Sequence, residues 1–316
     1  MCAAPSDPVA RPWITVVVVN WNGRPLLADC LGSLARAGAG VRVVLVDNGS
    51  ADDSVAWTRE HFPAVEILRS EENLRWAGGN NLALARLREE GGEEPVLLLN
   101  NDTLVPEGSL RTLADALRDE PAAWAATPRI CYASDPGLLW YDGARVGAAS
   151  GWVNHLGLRR PAGTRPLTRS WTDYGTGCAL LVSRRALDAV GLLDERYWLY
   201  AEDTDYSLRI RAAGGRILHE PRAIVLHKVS VTTGADTPRK AYLKNRSHVQ
   251  LLRRRWPRRA WLTLAPAQLA YVGAQAAWHL FAGRPDTARA AVQGALDAWT
   301  GRGKPDGTIL DGSRPD

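Results

Sequence analysis

The sequence is poor in cysteine, and the few cysteines are not spaced as in a metal site or a disulfide framework. Only four occur in 316 residues, at Cys2, Cys30, Cys131 and Cys178, and no CxxC pair is present. This argues against a cysteine-based zinc module and a disulfide-stabilised secreted scaffold, and it favours the reducing cytoplasm. The length allows one large domain or two modest ones with a sizeable core.

Two further absences concern the start of the chain and nucleotide binding. Residues 1–8 lack the basic start and the apolar run of a signal peptide, so we expect a short disordered lead over residues 1–12. The chain contains neither a Gly-Lys-Ser/Thr phosphate loop nor a GxGxxG dinucleotide fingerprint. Neither of these two nucleotide-binding classes is therefore indicated.

Acidic residues are absent from a long C-terminal interval, between Asp236 and Asp286. The interval contains ten basic residues, which outweigh the net charge of +5, so the rest of the chain nets about −5. These are Arg239, Lys240, Lys244, Arg246, Arg253, Arg254, Arg255, Arg258, Arg259 and Arg284. A mildly acidic body with a basic C-terminal piece indicates two functional surfaces.

The same interval predicts a helical extension over residues 237–300, followed by a disordered tail over 301–316. Residues 239–255 favour a basic amphipathic helix, and residues 260–283 form a run of 24 without formal charge. That length nominally permits a membrane span, but its proline and glutamines argue against one. Contact with a membrane surface, packing on the domain and formation of a homodimer stay open, whereas nucleic-acid binding is only weakly indicated.

The first two thirds of the chain alternate strand and helix patterns, which predicts an α/β sheet with right-handed crossovers. Residues 128–170 lack periodicity and predict an irregular or partly antiparallel insertion over the sheet. The predicted strands are 14–19, 41–46, 65–68, 96–99, 178–182, 216–219 and 223–226, and the predicted helices are 26–37, 53–61, 81–90, 184–190 and 203–213. Polar residues follow several of these strands at their carboxyl ends, where open α/β sheets bind ligands.

Two acidic motifs and a histidine stand out. Asp102 follows a strongly apolar strand, and His227 ends another. Glu202, Asp203 and Asp205 lie within four residues in an aromatic setting, and crowded carboxylates are tolerated where a cation, proton or reacting group lies among them. The pattern indicates an enzyme using a divalent metal. A helix cap for Asp102, a core position for His227 and a solvated helix start for the acids are the alternatives.

Several ordered motifs carry a family resemblance that covers about residues 14–230. They are Val-Val-Asn-Trp-Asn-Gly at 18–23, Val-Asp-Asn-Gly-Ser at 46–50, the Asn-Gly-rich run 73–81, Leu-Asn-Asn-Asp-Thr at 99–103, Tyr-Ala-Glu-Asp-Thr-Asp at 200–205 and His227. The chain resembles family 2 glycosyltransferases of the GT-A fold, especially the rhamnosyltransferase-like branch. This implies a Rossmann-like mixed sheet flanked by helices over residues 13–236, followed by the helical extension.

The resemblance also implies chemistry: inverting, metal-dependent transfer of a hexosyl group, such as rhamnosyl, from a dTDP- or UDP-sugar to a hydroxyl acceptor. Asp102 and His227 are the implied ligands of Mg²⁺ or Mn²⁺, both of which accept hard oxygen ligands. Asp203 is the first choice for the general base and Glu202 the second. Asp205 is assigned only to the start of a helix.

Donor and acceptor contacts are implied in the same way. Asn20 and Asp47 would contact the nucleobase and ribose, and further donor contacts would come from Asn73, Arg75, Gly79, Asn81, Asn101 and Asp102. Arg75 stands where the family usually has glycine, so either the turn differs or Arg75 contacts the diphosphate. Acceptor contacts would come from Asp173, Tyr174, Trp198 and Tyr200.

The acceptor class stays open between a lipid-linked glycan, a peptide and a secondary metabolite. The implied location is the cytoplasm, with peripheral contact at the inner face of the cell membrane. The alternative function is a non-catalytic nucleotide-sugar sensor whose basic C-terminal segment binds nucleic acid or membrane. The intact acidic cluster argues against that alternative.

Overall fold

A computed structural model of the chain describes residues 12–229 and 237–302. Almost all of the predicted disordered lead and tail therefore lie outside the described residues. Within the described residues, ten strands form one sheet and two more form a small hairpin.

The N-terminal half of the sheet consists of parallel strands joined by helices, as predicted. Buried β-branched and leucine runs form these strands because both of their faces are covered by helices. The elements are β1 (Ile14–Asn20), α1 (Arg24–Ala35), β2 (Val41–Asn48), α2 (Ser54–His61), β3 (Glu66–Ser70), α3 (Arg75–Glu90) and β4 (Val96–Asn100). β1 lies between β2 and β4, and β3 forms the edge.

The helix α3 begins six residues earlier than predicted, at Arg75 instead of Asn81. Gly78 and Gly79 are poor helix formers, and for this reason the sequence favoured a loop. Tertiary packing decides otherwise, since a Cβ on Gly79 would come within 2.7 Å of Cγ1 of Val19. Glycine lets this turn of α3 lie directly against β1.

The second half of the domain is mixed. Its elements are β5 (Thr103–Leu104), α4 (Ser109–Arg118), β6 (Ala123–Tyr132), β7 (Asp135–Tyr141), β8 (Ala144–Val146), β9 (Val153–His155), β10 (Ser170–Thr172), β11 (Ala179–Val182), α5 (Arg184–Val190), α6 (Glu202–Ala212) and β12 (Arg216–His227). β11 is antiparallel to both β4 and β6, and β12 is parallel to β6. The carboxyl end of β12 therefore lies at the same edge as the carboxyl end of β4.

Two predictions for this half were wrong in their boundaries. Residues 128–132, assigned to the irregular insertion, belong to the long strand β6, although β7 and the β8–β9 hairpin confirm its partly antiparallel character. The two predicted closing strands form one strand, β12, whose register shifts between Glu220 and Ile224. Pro221 lies in this irregularity, where the strand does not need its missing N–H.

The C-terminal extension is helical, with α7 (Pro238–Arg255), a 3₁₀ turn (Arg258–Ala260), α8 (Trp261–Phe281) and α9 (Pro285–Thr300). α7 and α9 approach closely at Gly294, where a Cβ would come within 2.2 Å of the Tyr242 carbonyl oxygen. No helix in the described part of the chain is long and apolar enough to cross a membrane.

Candidate active site

The carboxyl ends of β1 and β4 are joined by an amide pair. Nδ2 of Asn101 donates to Oδ1 of Asn20 at 2.9 Å, and Nδ2 of Asn20 donates to Oγ of Ser54 at 3.0 Å. Asn20 is fully buried. The predicted donor residues Asn20 and Asn101 thus lie together at this edge, as the sheet topology requires.

Asp47 ends β2 beside β1, paired in register with Asn20. Its carboxylate is buried and accepts from the Ser50 N–H at 3.3 Å, while Nε of Arg69 lies 3.3 Å from its other oxygen. Arg69 is more than half exposed, so it covers the carboxylate from the solvent side.

Asn48, which the sequence analysis did not single out, organises the turn before α3. Its Nδ2 donates to Oδ1 of Asn73 at 3.0 Å and to the Arg75 carbonyl at 3.1 Å, and its Oδ1 accepts from the Leu74 N–H at 2.9 Å. Oδ1 of Asn73 also accepts from the Arg75 N–H at 2.8 Å. Asn73 and Asn48 therefore fix the backbone at Arg75.

Arg75 has a φ of +62°, in the left-handed region that favours glycine. The turn therefore keeps the conformation that glycine would adopt, although the residue is arginine. The guanidinium of Arg75 stacks on the ring of Trp198, 2.9 Å from its centroid. This contact brings a predicted donor residue against a predicted acceptor residue.

Asn81 lies away from this edge. Its Nδ2 donates to the Leu193 carbonyl at 3.0 Å and to Oε1 of Glu195 at 2.7 Å, and its Oδ1 accepts from the Leu193 N–H at 2.9 Å. These bonds hold the segment that leads to the acidic cluster. These bonds support a structural role for Asn81, and the packing of Gly79 against Val19 supports a structural role for Gly79. Neither residue is placed by the geometry for a direct contact with the donor.

Asp102 and His227 lie side by side at the carboxyl edge. Nε2 of His227 is 3.2 Å from Oδ1 of Asp102, and both side chains are buried. The antiparallel pairing of Thr103 with His227 between β5 and β12 fixes this arrangement. The ring of Trp140 packs edge-on against His227, with centroids 4.6 Å apart.

The pair has unsatisfied atoms that suit a cation. Oδ1 of Asp102 lies 3.2 Å from Nε2 of His227 without the geometry of a hydrogen bond, and neither this oxygen nor Nδ1 of His227 has a hydrogen-bond partner, although both are buried. Carboxylate oxygen suits both Mg²⁺ and Mn²⁺, and an imidazole nitrogen beside it suits Mn²⁺ better than Mg²⁺. No group of three or more metal-ligating side chains occurs in the described ranges, so further ligands would have to come from a bound phosphate or water.

The side chain of Asn100 accepts from the indole N–H of Trp76 at 3.0 Å.

The acidic cluster begins α6 after two strained residues. Tyr200 and Ala201 have φ values of +70° and +68°, and consecutive left-handed non-glycine residues are costly. Oδ2 of Asp203 accepts from the Gly177 N–H at 2.8 Å, and its Oδ1 accepts from the Thr204 N–H at 2.6 Å. Two backbone donors therefore fix the Asp203 carboxylate, which is only partly buried.

The two adjacent acids have different environments. Burial, followed by the charge of Asp203, raises the pKa of Glu202 to about 8, and Oε2 of Glu202 has no hydrogen-bond partner. Burial also raises the pKa of Asp203, while its hydrogen bonds to Gly177 and Thr204 oppose this effect. Near neutral pH, Glu202 is mostly protonated.

The two acidic motifs both lie near Gly177 and Cys178: the Gly177 N–H donates to Asp203, and the Cys178 carbonyl accepts at 3.0 Å from the N–H of Asn100, two residues before Asp102. Burial raises the pKa of the Cys178 thiol well above its ordinary value, and the charges of Asp102 and Asp203 raise it further. Both carboxylates therefore act on the same buried residue. Gly177 and Cys178 precede β11, whose antiparallel direction brings its start to the edge where β4 ends.

Asp205 belongs to a different network. It is fully buried and accepts from the Tyr197 hydroxyl at 2.9 Å, from Nε of Arg209 at 3.0 Å and from Nε of Arg255 at 2.5 Å. Asp205 lies at the start of a helix, as predicted, and in addition it joins α6 to the C-terminal helix α7.

The predicted acceptor residues divide into two groups. Trp198 and Tyr200 are partly buried and pack with Leu199 against Tyr242 and Leu243 of α7. The other two, Asp173 and Tyr174, are engaged within the protein. Asp173 lies 3.2 Å from Arg211, and the buried Tyr174 bonds His155 through its hydroxyl. All four residues thus have partners within the protein, but only Trp198 and Tyr200 lie in the segment that leads directly into the acidic cluster.

Comparisons with known proteins identify the family of the chain. The model of the family described as "Glycosyl transferase family 2" matches residues 15–191, more than half of the chain. An N-acetylglucosaminyl-diphospho-decaprenol L-rhamnosyltransferase of Mycobacterium tuberculosis is 33% identical over 243 residues, covering 71% of this chain and 78% of that protein. The chain belongs to glycosyltransferase family 2. The predicted family and the predicted enzyme class are thereby confirmed.

Solved structures show the fold of this glycosyltransferase. A mannosyltransferase from Pyrobaculum calidifontis, in complex with GDP-Man and Mn²⁺, aligns with a TM-score of 0.61 and 20% identity, covering 94% of this chain and 90% of that one. GalNAc-T7 with UDP, GalNAc and Mn²⁺ aligns with a TM-score of 0.59 and 14% identity, covering 77% and 48%. The mixed sheet flanked by helices is the predicted GT-A fold.

Proposed function

We propose that this glycosyltransferase transfers an L-rhamnosyl group from a dTDP-sugar, with inversion at the anomeric carbon, to a hydroxyl of a lipid-linked glycan. The sugar and the acceptor class follow from the name of the mycobacterial relative. The observation that carries the chemistry is Asp203, a fixed carboxylate at the sheet edge that also bears Asp102 and His227. UDP-linked hexoses are the alternative donors.

Asp102 and His227 would hold Mg²⁺ or Mn²⁺, with the donor diphosphate completing the ligands. Their unsatisfied buried atoms support this assignment. When bound, the metal offsets the negative charge that develops on the departing nucleoside diphosphate. Asn101 and Asn20 would position the nucleotide beside this pair, and Asp47 would accept from an imide N–H of the thymine or uracil base.

Asp203 would act as the general base. It takes the proton of the acceptor hydroxyl while that oxygen bonds to the anomeric carbon and the bond from this carbon to the diphosphate oxygen breaks. The backbone N–H groups of Gly177 and Thr204 hold the carboxylate in place. A raised pKa makes Asp203 a stronger proton acceptor than an ordinary aspartate.

Glu202 would orient the site and keep Asp203 ionised. Because its own pKa is raised to about 8, Glu202 is mostly neutral at pH 7 and does not repel the Asp203 charge. Glu202 is also buried, whereas Asp203 is partly exposed and therefore more accessible to an acceptor hydroxyl. These features favour Asp203 over Glu202 as the base.

A lipid-linked acceptor would place the reaction at the inner face of the cell membrane. Trp198 and Tyr200 offer aromatic surface next to Asp203, and the stack of Arg75 on Trp198 would connect the donor and acceptor sides. The non-catalytic sensor is disfavoured because Asp203, Asp102 and His227 all converge on one edge.

The test is transfer by the purified full chain, with dTDP-rhamnose or UDP-hexoses, Mn²⁺ or Mg²⁺, and an N-acetylglucosaminyl-diphospho-polyprenol acceptor. We expect rhamnosylated product from the dTDP-sugar, an inverted anomeric configuration by NMR, and loss of activity in chelator. Asp203→Asn should abolish turnover and still bind the donor, whereas the surface control Asp188→Asn should retain turnover. Turnover in Asp203→Asn would overturn the base assignment, and full activity in chelator would overturn the metal.

A further inference from the structure

The helix α8 buries Gln268 and His279 and leaves most of its large apolar side chains exposed. Leu262, Leu269 and Phe281 are 85%, 76% and 88% exposed, and Trp278 and Leu280 are also exposed. Apart from Thr263 and the indole of Trp278, every exposed residue of α8 has an apolar side chain or none. An ordinary surface helix has the opposite arrangement.

The inward face of α8 confirms this inversion. Nε2 of Gln268 donates to the Ser150 carbonyl at 3.0 Å, and Oε1 of Gln275 accepts from Nδ2 of Asn245 at 2.9 Å. His279 is buried on the same face. Because Gln268 and Gln275 are hydrogen-bonded to the rest of the protein, the helix cannot rotate its apolar face inward without breaking these two bonds. The exposed apolar face is therefore a built feature of the fold.

The charge around α8 indicates what covers this face. Arg258 and Arg259 are exposed in the 3₁₀ turn immediately before the helix, and Arg284 is exposed just after it. The sequence has no acidic residue between Asp236 and Asp286. A second copy paired through α8 would add the same two arginines, Arg258 and Arg259, and residues 237–285 contain no acidic side chain to pair with them. An anionic surface complements them.

We infer that α8 docks this glycosyltransferase on an anionic lipid bilayer, lying in the plane of the interface. Leu262, Leu269, Trp278, Leu280 and Phe281 would enter the acyl boundary, and Arg258 and Arg259 would contact the lipid phosphates. The helix has 21 residues and a length of about 31 Å, so its apolar face offers an extended contact. Insertion into the bilayer would bury the apolar face of α8 that the fold leaves exposed to water.

The docking helix is attached to the acceptor side of the active site. α8 contacts α7 through Gln275 and Asn245. α7 in turn is fixed to the segment before the acidic cluster. Ser247 of α7 donates to the Leu199 carbonyl at 2.7 Å, and Arg255 of α7 pairs with Asp205. Docking would thus hold the Trp198 surface near the bilayer. Only this orientation toward a lipid-linked acceptor rests on the proposed function; the docking itself does not.

The experiment is co-sedimentation of the full chain with vesicles of phosphatidylcholine mixed with phosphatidylglycerol, and with vesicles of phosphatidylcholine alone. We expect binding to the anionic vesicles, weakened by salt. Leu269→Glu and Phe281→Glu should each lower the partition coefficient about tenfold or more, because a charge replaces a buried apolar side chain. Arg258→Glu with Arg259→Glu should remove the preference for anionic vesicles.

Matched controls separate the face from general hydrophobicity and charge. Leu167→Glu changes an exposed leucine in the loop before β10, and Arg59→Glu changes an exposed arginine of α2; both should bind vesicles like the wild type. Absence of binding to anionic vesicles, or equal binding by Leu269→Glu, would overturn the inference. A concentration-dependent dimer that Leu269→Glu dissociates, without vesicle binding, would also overturn it in favour of a second copy.

Failure of docking and failure of the proposed function are distinguishable. Docking is measured without any sugar nucleotide, and transfer can be measured with an acceptor analogue that carries a short, water-soluble lipid. Leu269→Glu should retain transfer to that analogue and lose transfer to acceptor embedded in anionic vesicles. Loss of transfer to both would contradict a role restricted to docking.

Discussion

Arg255 of α7 forms a two-pronged contact with the fully buried carboxylate of Asp205 in α6, with Nε at 2.5 Å from Oδ1 and Nη2 at 3.0 Å from Oδ2. Asp205 lies two residues after Asp203, in the first turn of the same helix. The contact therefore ties the C-terminal helices to the backbone that holds the proposed base. The two partners are 50 positions apart in the sequence, so they come into contact only because the chain folds.

The first prediction concerns this ion pair. Arg255→Gln should lower the free energy of unfolding by about 1–3 kcal/mol, because Asp205 stays buried and keeps only Arg209 and Tyr197 as partners. Urea denaturation followed by circular dichroism measures the change. The control Arg118→Gln breaks an exposed pair with Asp115 and should cost no more than about 0.5 kcal/mol. Equal effects for both variants would contradict a special role for Arg255.

Glu202 makes stability depend on pH with a defined sign. The pKa of Glu202 is 4.5 ordinarily and about 8 in the folded protein, so folding favours its protonated form. As the pH rises from 4.5 to about 8, Glu202 ionises in the unfolded chain but stays mostly protonated in the folded protein, so the free energy of unfolding falls and the folded state carries a growing penalty. Glu202→Gln removes this penalty.

Denaturation of Glu202→Gln and wild type at about pH 5 and about pH 9 measures the effect. We expect the variant to gain free energy of unfolding relative to wild type at the higher pH and to differ little at the lower pH. Glu107→Gln, at an exposed position, should show no such dependence. A difference that is the same at both pH values would show that Glu202 titrates normally.

Arg75 allows backbone strain to be separated from side-chain contacts. Arg75→Ala and Arg75→Gly both remove the stack on Trp198, but only glycine adopts a φ of +62° without strain. The glycine variant should therefore be more stable than the alanine variant by about 1 kcal/mol in chemical denaturation. An alanine variant that equals or exceeds the glycine variant would show that the turn relaxes out of the left-handed region.

The position of several candidate site residues could be predicted because each of them follows the end of an apolar strand. Apolar runs that end in Asn20, Asp47 and Asp102 indicate parallel strands whose carboxyl ends share one edge, and the structure places these residues there. The start of α3 was missed because Gly78 and Gly79 suggest a loop, while the close approach of Gly79 to Val19 depends on tertiary packing.

Contacts between distant segments could not be predicted from local patterns. Asn48 fixes the turn at Arg75 from the end of a neighbouring strand, and the acids Asp203 and Asp205, two residues apart, bind different parts of the protein. The inward polar face of α8 was likewise hidden, since a run without formal charge does not tell which side of the helix faces the domain. A helical-wheel projection of residues 261–281, grouping Gln268, Gln275 and His279, would have revealed it.

The pair of Asp102 and His227 leads to the last prediction, on metal-dependent donor binding. His227→Ala should weaken the binding of dTDP in the presence of Mn²⁺ by about tenfold to a hundredfold, since it removes one of the two proposed protein ligands. In the absence of metal, the variant and wild type should bind dTDP with similar, weak affinity. Calorimetric titration measures both, and His61→Ala, on the surface of α2, is the control. An equal loss with and without Mn²⁺ would assign His227 to packing against Trp140 instead, because a merely structural histidine supports the nucleotide pocket whether or not the cation is present.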